Sequence, residues 1–312
     1  MGNTLSELKI SVLMSVWNGE RFLHQAIDSI LNQSYNNFEF IIINDGSFDD
    51  SEKIILSYKD PRVVYLKNDI NIGLAASLNK GIQIAKGKYI ARMDDDDLSH
   101  KDRFKIQLEF LENNPNIGVL GTIAKYITEE NEYITTTALP ENDKEIKKKL
   151  PLFWFHHGSV VIRKEFLIEC GGYDSWCKRI EDLLLWNKLS YLTDFHVIQE
   201  PLYTWRLTVK GATNVPLSKD VKLLLNKFKT VSTIDEAIAE IKVYDMKADI
   251  DQKNSPNSTV RQYQYYKKII GYSLGSRNFN VVLKYYYKLL RYHFRIDDAF
   301  LIPLKIIKKI IK

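Results

Sequence analysis

Apolar residues in the first third of the chain come in blocks. Residues 10–16 form a short, nearly continuous apolar run rich in β-branched side chains, and residues 38–43 and 63–66 repeat the pattern. Runs of this length bounded by turn residues predict buried strands. Between the first two, residues 21–33 carry apolar side chains at Phe22, Leu23, Ala26, Ile27, Ile30 and Leu31, the spacing of an amphipathic helix. Residues 51–58 and 74–85 are expected to be helical. Residues 88–93 give a fourth strand, and 98–111 the next helix. This alternation implies an α/β fold with a mostly parallel sheet covered by helices on both faces. Further on, 118–122 and 124–127 are expected as strands and 141–149 as a charged helix. Residues 153–163 are aromatic and then strand-like, and Gly171-Gly172-Tyr173-Asp174 is a turn.

The fourth strand ends abruptly in Asp94-Asp95-Asp96-Asp97. Adjacent carboxylates repel and raise one another's pKa values. Such a run is either a solvated acidic loop or helix cap, or a set of hard oxygen ligands for a divalent cation and its phosphates. Its place at the carboxyl end of a strand, where open α/β sheets bind ligands, favours the second. Two other loops open on the same edge. Asp45, in Asn44-Asp45-Gly46-Ser47, is either a turn former or a carboxylate that accepts a hydrogen bond from a base or sugar. Trp17, between a strand and a helix, is either core packing or a ring beside a planar base.

At 312 residues, the chain can hold one large domain and an appendage. Hydrophobic residues make up 45% and charged residues 27%, as in ordinary soluble proteins. The net charge of +5 is uneven, with Lys and Arg crowding the C-terminal end. Two cysteines, Cys170 and Cys177, make neither a disulfide framework nor a zinc site, and fit a reducing compartment. The N-terminus lacks a secretory pattern, and no window is apolar enough for a membrane span. The expectation is a cytoplasmic protein.

The quoted segments resemble a known family. Ser11-Val12-Leu13-Met14-Ser15-Val16-Trp17-Asn18-Gly19-Glu20, Ala26-Ile27-Asp28-Ser29-Ile30-Leu31-Asn32-Gln33-Ser34-Tyr35 and Ile43-Asn44-Asp45-Gly46-Ser47 are similar to the opening of family 2 glycosyltransferases. Asn71-Ile72-Gly73-Leu74-Ala75-Ala76-Ser77-Leu78-Asn79-Lys80-Gly81-Ile82 and Gly87 through the acidic run continue the likeness, which extends to about Thr213. The resemblance, of the bacterial capsule and lipopolysaccharide type, implies a GT-A fold, a nucleotide-sugar donor, a divalent metal and inversion at the anomeric carbon. It implies a catalytic domain over residues 1–215 and a helical C-terminal region over 216–312. Chain length and the lack of spanning segments argue against a processive polysaccharide synthase.

On this resemblance Ser15, Trp17, Glu20, Asp45, Asp94 and Asp95 surround a UDP-sugar, with Asp95 meeting the ribose. Asp96 binds Mn2+ or Mg2+. Asp182, in Ile180-Glu181-Asp182-Leu183, is by itself a helix cap; the resemblance makes it the general base. His157, Glu181 and Trp186 fall on the acceptor side. Two adjacent His on a strand point to opposite faces, so one of His156 and His157 faces the cleft and the other is structural. The expected acceptor is a glycan of lipopolysaccharide, capsule or lipid-linked type.

The chain departs from the family where Val16 replaces Pro, Trp17 replaces Tyr, and Ser77-Leu78-Asn79 stands where many members have Ala-Arg-Asn. His100-Lys101-Asp102-Arg103 stands for His-Pro-Asp-Arg, and Thr208 takes the place of a His. The lost Arg puts more weight on the metal. Two alternatives stand beside this function. A nucleotidyltransferase should carry a Gly-rich basic loop after its first strand, and Trp17-Asn18-Gly19-Glu20 is not one. A catalytically silent sugar-nucleotide-binding assembly protein should lack the metal ligands or the base.

After residue 216, Lys, Tyr and Ile dominate. Residues 251–259 are expected as a linker or loop, and 260–294 as helices. Their aromatics fall at helical spacing and are expected in a core, with no nucleic-acid partner. Residues 303–312 form a basic amphipathic segment. At about 100° per residue, Lys305, Lys308, Lys309 and Lys312 share one face, opposite Leu304, Ile306, Ile307, Ile310 and Ile311. It is either a terminal helix docked on the protein or an anchor to an anionic membrane surface, which would make the protein peripheral at the inner face of the cell membrane.

Overall fold

The computed structural model describes residues 8–150, 153, 155–176, 180–209, 233, 236 and 258–292. The segment 303–312, Cys177 and most of the linker expected at 251–259 lie outside the described residues. The chain forms two compact units. Of the described residues, the first holds those up to Ala124, Ala138–Thr204, 233 and 236; the second holds Lys125–Thr137, 205–209 and the two C-terminal helices.

In the first unit, β1 (Ile10–Val16) is flanked on both sides by parallel partners, β2 (Phe38–Asp45) and β4 (Tyr89–Met93), and β3 (Val63–Asn68) extends the sheet beyond β2. A strand paired on both edges and covered on both faces must be apolar almost throughout, and only Ser15 of β1 escapes full burial. Helices α1 (Leu23–Leu31), α2 (Ser51–Ser57) and α3 (Leu74–Ile84) make the crossovers. Helix α1 buries Leu23, Ala26, Ile27 and Ile30, the stripe its sequence predicts.

The parallel expectation holds for β3, β2, β1 and β4, but the sheet as a whole is mixed. The strand order among the described residues is β3-β2-β1-β4-β8-β6-β9-β5. Strand β8 (Val161–Arg163) runs antiparallel to β4 and to β6 (Ile117–Ile127). Strand β5 (Leu98–Ser99) runs antiparallel to β9 (Asp194–Arg206). The two strands expected at 118–127 are one. The helix expected from Leu98 begins only as α4 (Arg103–Asn113), because Leu98 and Ser99 pair with Thr204 and Tyr203. Helix α5 is Asp143–Lys149. The pair His156 and His157 is not on a strand: His157–Ser159 is a 3-10 turn leading into β8. Helices α6 (Lys164–Glu169) and α7 (Glu181–Leu189) follow.

In the second unit, β7 (Tyr133–Thr136) pairs with the end of β6, and α8 (Ser258–Gly275) packs on α9 (Phe279–Tyr292). Tyr263, Tyr265, Tyr266 and Tyr285 are buried, so these aromatics are core. Lys284 bridges Glu130 and Glu132 at 2.5 and 2.8 Å.

Candidate active site

The acidic run emerges from the buried end of β4, and its four carboxylates have different surroundings. Asp94 is tied down by Arg92, a buried guanidinium whose Nη2 donates to Asp94 Oδ1 at 2.5 Å while its Nη1 donates to the Met93 carbonyl. Asp97 is fully buried and accepts from Tyr203 Oη at 2.6 Å. Asp95 turns back toward β1, where it accepts the Trp17 backbone N–H; burial and the Asp94 charge push its carboxyl well above the usual range. Gly19 lies against Asp95 Oδ2, where any Cβ would collide. Asp96, like Asp94 and Asp95, is half-buried.

Arg103 sits fully buried beneath this run, on α4. Its Nε donates to Gln107 at 2.9 Å and its Nη2 to the Arg92 and Val160 carbonyls, so it links β4, α4 and the segment before β8. Gly158 completes the floor: a Cβ there would strike the Tyr203 hydroxyl and come within 2.7 Å of Asp94. A small residue is therefore required where the 3-10 turn crosses under the carboxylates.

The loops after β1 and β2 are fastened to each other. Asn18 N donates to Ser47 Oγ, Gly19 N to Ser51 Oγ, and Phe48 N to Asn18 Oδ1, all within 3.0 Å. Trp17 projects from this loop with 54% of its surface exposed, a large apolar ring open to a ligand. Ser15 lies half-buried at the end of β1. Glu20 is exposed, and its Oε2 accepts from Asp50 N at 3.0 Å, so in this conformation it holds the neighbouring loop.

Asp45 differs from the expectation. It is 1% exposed, and its carboxylate accepts from Asn68 Nδ2, Ile72 N and Gly73 N at 2.8 to 2.9 Å. It organises the loop before α3, so the direct contact to a base is not presented; the turn-former expectation fits. Gly46 beside it has φ +69° and lies 2.5 Å from the Ile70 backbone at its Cβ position, a conformation and a gap that only glycine meets.

Helix α7 begins with Glu181 and Asp182, both with pKa raised, chiefly by burial; Asp182 adds to the rise of Glu181, and the Asp94 charge adds to both. The helix start offsets part of this, since Leu183 N donates to Asp182 Oδ1 at 2.8 Å. Asp94 and Arg92 act on both acids, which joins the α7 start to the acidic run electrostatically. His157 meets Tyr173 Oη at 2.6 Å through Nε2, and burial with the nearby Arg92 charge keeps its imidazole neutral. Trp186 is a correction to the acceptor-side expectation. Its ring is fully buried against Phe155 and His157, so it backs the site and meets no ligand itself.

The residues missed by sequence are Arg92, Arg103, Gly158, Tyr173 and Tyr203. A lone Arg in the apolar β4 run was a visible signal, because a buried cation needs an anionic partner. Tyr203 lies 106 positions from Asp97, and nothing local announces that contact.

Among the described residues, no group of three or more His, Cys, Asp or Glu gathers around a common metal position. The donor chemistry still suits Mg2+ or Mn2+, which take one or two carboxylates and complete their shell with substrate phosphates and water. Half-buried Asp96, next to an Asp94 held by Arg92, fits that arrangement.

The model of the glycosyl transferase family 2 matches residues 11–172, more than half the chain. The chain belongs to this family. A putative glycosyltransferase of Bacillus subtilis, EpsE, is 37% identical over 207 residues, covering 64% of this chain and 73% of that protein. Among solved structures, Staphylococcus aureus TarS in complex with UDP-GlcNAc aligns over 89% of both chains with a TM-score of 0.58 and 15% identity. The Pyrobaculum calidifontis mannosyltransferase PcManGT, in complex with GDP-Man and Mn2+, aligns over 97% of this chain and 80% of its own with a TM-score of 0.52 and 12% identity. The fold is therefore GT-A, and the enzyme class is that of a family 2 glycosyltransferase.

Proposed function

We propose that this family 2 member is an inverting glycosyltransferase that moves a sugar from a UDP-sugar to a hydroxyl of a glycan acceptor of lipopolysaccharide, capsule or lipid-linked type. The carrying observation is one compact unit that couples the carboxylates at the end of β4 to the raised-pKa pair at the start of α7. Trp17 takes the planar base, with Ser15 and the 18–20 loop beside it. Asp95 and Asp94 lie toward the ribose and phosphates, and Asp96 would hold Mn2+ or Mg2+. When bound, that cation offsets the charge that grows on the departing diphosphate. Asp182 removes the acceptor hydroxyl proton as the oxygen attacks the anomeric carbon; the bond from that carbon to the diphosphate breaks, and UDP leaves. His157 and Glu181 line the acceptor side. The UDP-GlcNAc held by TarS and the GDP-Man held by PcManGT support a sugar-nucleotide donor, and the first of them a UDP-sugar.

The deciding experiment is a screen of UDP-sugars for metal-dependent UDP release in the presence of glycan acceptors. Binding of UDP without release from any donor would favour the silent binding protein.

Two further outcomes are expected. Trp17→Ala should raise the donor KM by about tenfold, the value of one stacked base, while kcat on saturating donor stays near wild type. Steady-state kinetics against a UDP-sugar series check it; an unchanged KM removes Trp17 from the base site. We also propose that residues 303–312 anchor the protein at an anionic leaflet, where each Lys contributes on the order of 1 kcal/mol. No helix among the described residues is long and apolar enough to cross a membrane. Deleting 303–312 should release the protein from anionic liposomes and leave activity on a short soluble acceptor. Sedimentation of the truncated protein with the liposomes, or its unfolding, would make the segment part of the core.

A further inference from the structure

The turn after α6 is held with more precision than a surface connection requires. Helix α6 ends in a Schellman arrangement: Gly172 N donates to the Leu167 carbonyl at 2.8 Å and Gly171 N to the Ile168 carbonyl at 3.0 Å. Gly172 has φ +71°, and a Cβ on it would lie 2.6 Å from Asn79 Oδ1. That closeness lets the Asn79 amide grip the next residue from α3. Its Nδ2 donates to the Tyr173 carbonyl at 2.8 Å and its Oδ1 accepts from Tyr173 N at 2.9 Å. From the other side, Lys188 on α7 donates to the Gly172 carbonyl at 2.6 Å and pairs with Asp174 at 2.9 Å. Lys188 is itself buried. Burying an ammonium is costly, and a buried pair is better suited to fixing one arrangement than to adding stability.

All of this converges on Tyr173, whose buried ring delivers its hydroxyl to His157 Nε2 at 2.6 Å. The His157 ring then rests edge-on against Trp186, with centroids 5.8 Å apart. We infer that Tyr173 is a positioning residue. Clamped between Asn79 and Lys188, its phenol fixes the ring orientation of His157 on the acceptor side of the site. The phenol can donate to Nε2 or accept from it, so the bond holds the imidazole ring in place with either nitrogen protonated. Because α7 carries Asp182 and Trp186 as well as Lys188, one helix holds the base, the wall behind His157 and the clamp on its partner.

The inference rests on the transferase function, so the wild type is measured first, with a donor that turns over. Tyr173→Phe, which removes the hydroxyl and keeps the ring, should lower kcat by about tenfold, the scale of a small misplacement at a reacting centre. Donor KM should stay within about twofold and the melting temperature should be nearly unchanged. His157→Gln should lose a similar factor, and the double variant should be no worse than the poorer single variant, because both remove the same oriented imidazole. Asn79→Ala, which leaves the phenol but frees its backbone, should lose kcat in the same direction. A Tyr173→Phe enzyme at wild-type kcat, or losses that multiply in the double variant, would overturn the inference and leave the transferase function standing. A wild type that turns over no donor would sink both.

Discussion

Asp96→Asn is expected to abolish sugar transfer while leaving the melting temperature within a few degrees of wild type. The reason lies in the proposed metal site at the acidic run after β4. Asp94 is neutralised by Arg92, and Asp97 is buried on Tyr203. Asp95 folds back onto the Trp17 N–H against Gly19. Asp96 stands half-buried beside Asp94 and Asp95 at the end of β4, where carboxylates suit a cation that arrives with its diphosphate. Replacing it with an amide keeps the shape and removes the charge. The contrast variant is Asp97→Asn, which leaves a buried Tyr203 hydroxyl facing an altered partner and should lower the melting temperature. Turnover assays with and without added Mn2+ or Mg2+, beside thermal melts, separate the two. Near wild-type transfer by Asp96→Asn with all divalent metal chelated would refute the assignment.

How far the chain was legible depends on which forces were local. The parallel strands were readable because burial writes itself as a short apolar run, as in residues 40–43 of β2. The antiparallel half was not. Strand β9 contains Asp194, His196, Gln199, Glu200 and Pro201 among its apolar positions, and β5 has two residues that take their structure from Tyr203 and Thr204. A helix period running from Leu98 could not reveal that a distant strand captures its first turn. The acidic run, Trp17 and the α7 acids were legible because each stands at an element boundary with unusual chemistry. The inward turn of Asp45 and the burial of Trp186 were not. Both depend on what lies opposite: the Ile72 and Gly73 amides in one case, the Phe155 and His157 rings in the other. The same limit hid Tyr173, which sequence marks only as part of a Gly-Gly turn.

Asp182→Asn should lower kcat by about 10² or more, leave UDP affinity unchanged, and raise thermal stability at neutral pH. The first two outcomes follow from a carboxylate that acts on the acceptor proton and makes no contact with the nucleotide. The third follows from the pKa. Burial lifts the Asp182 and Glu181 carboxyls above their ordinary values, and Asp182 adds to the rise of Glu181. A carboxyl raised on folding contributes most below its unfolded pKa, where the folded state holds the proton more firmly. That contribution is lost as pH climbs through the folded value. Above both values the ionised pair costs stability, and an amide at 182 removes the cost. The gain in melting temperature should therefore be present at pH 8 and vanish on acidification to the ordinary carboxylate range. Catalysis has the opposite sign, because the base works only when ionised. Wild-type kcat should thus fall on acidification sooner than an ordinary exposed carboxylate would require. Calorimetry with UDP, melts at both ends of the pH range and the kcat profile test the three claims together. Loss of UDP affinity in step with the loss of rate would make Asp182 a structural cap of α7. A variant that is less stable at pH 8 would mean that its Leu183 hydrogen bond outweighs its burial.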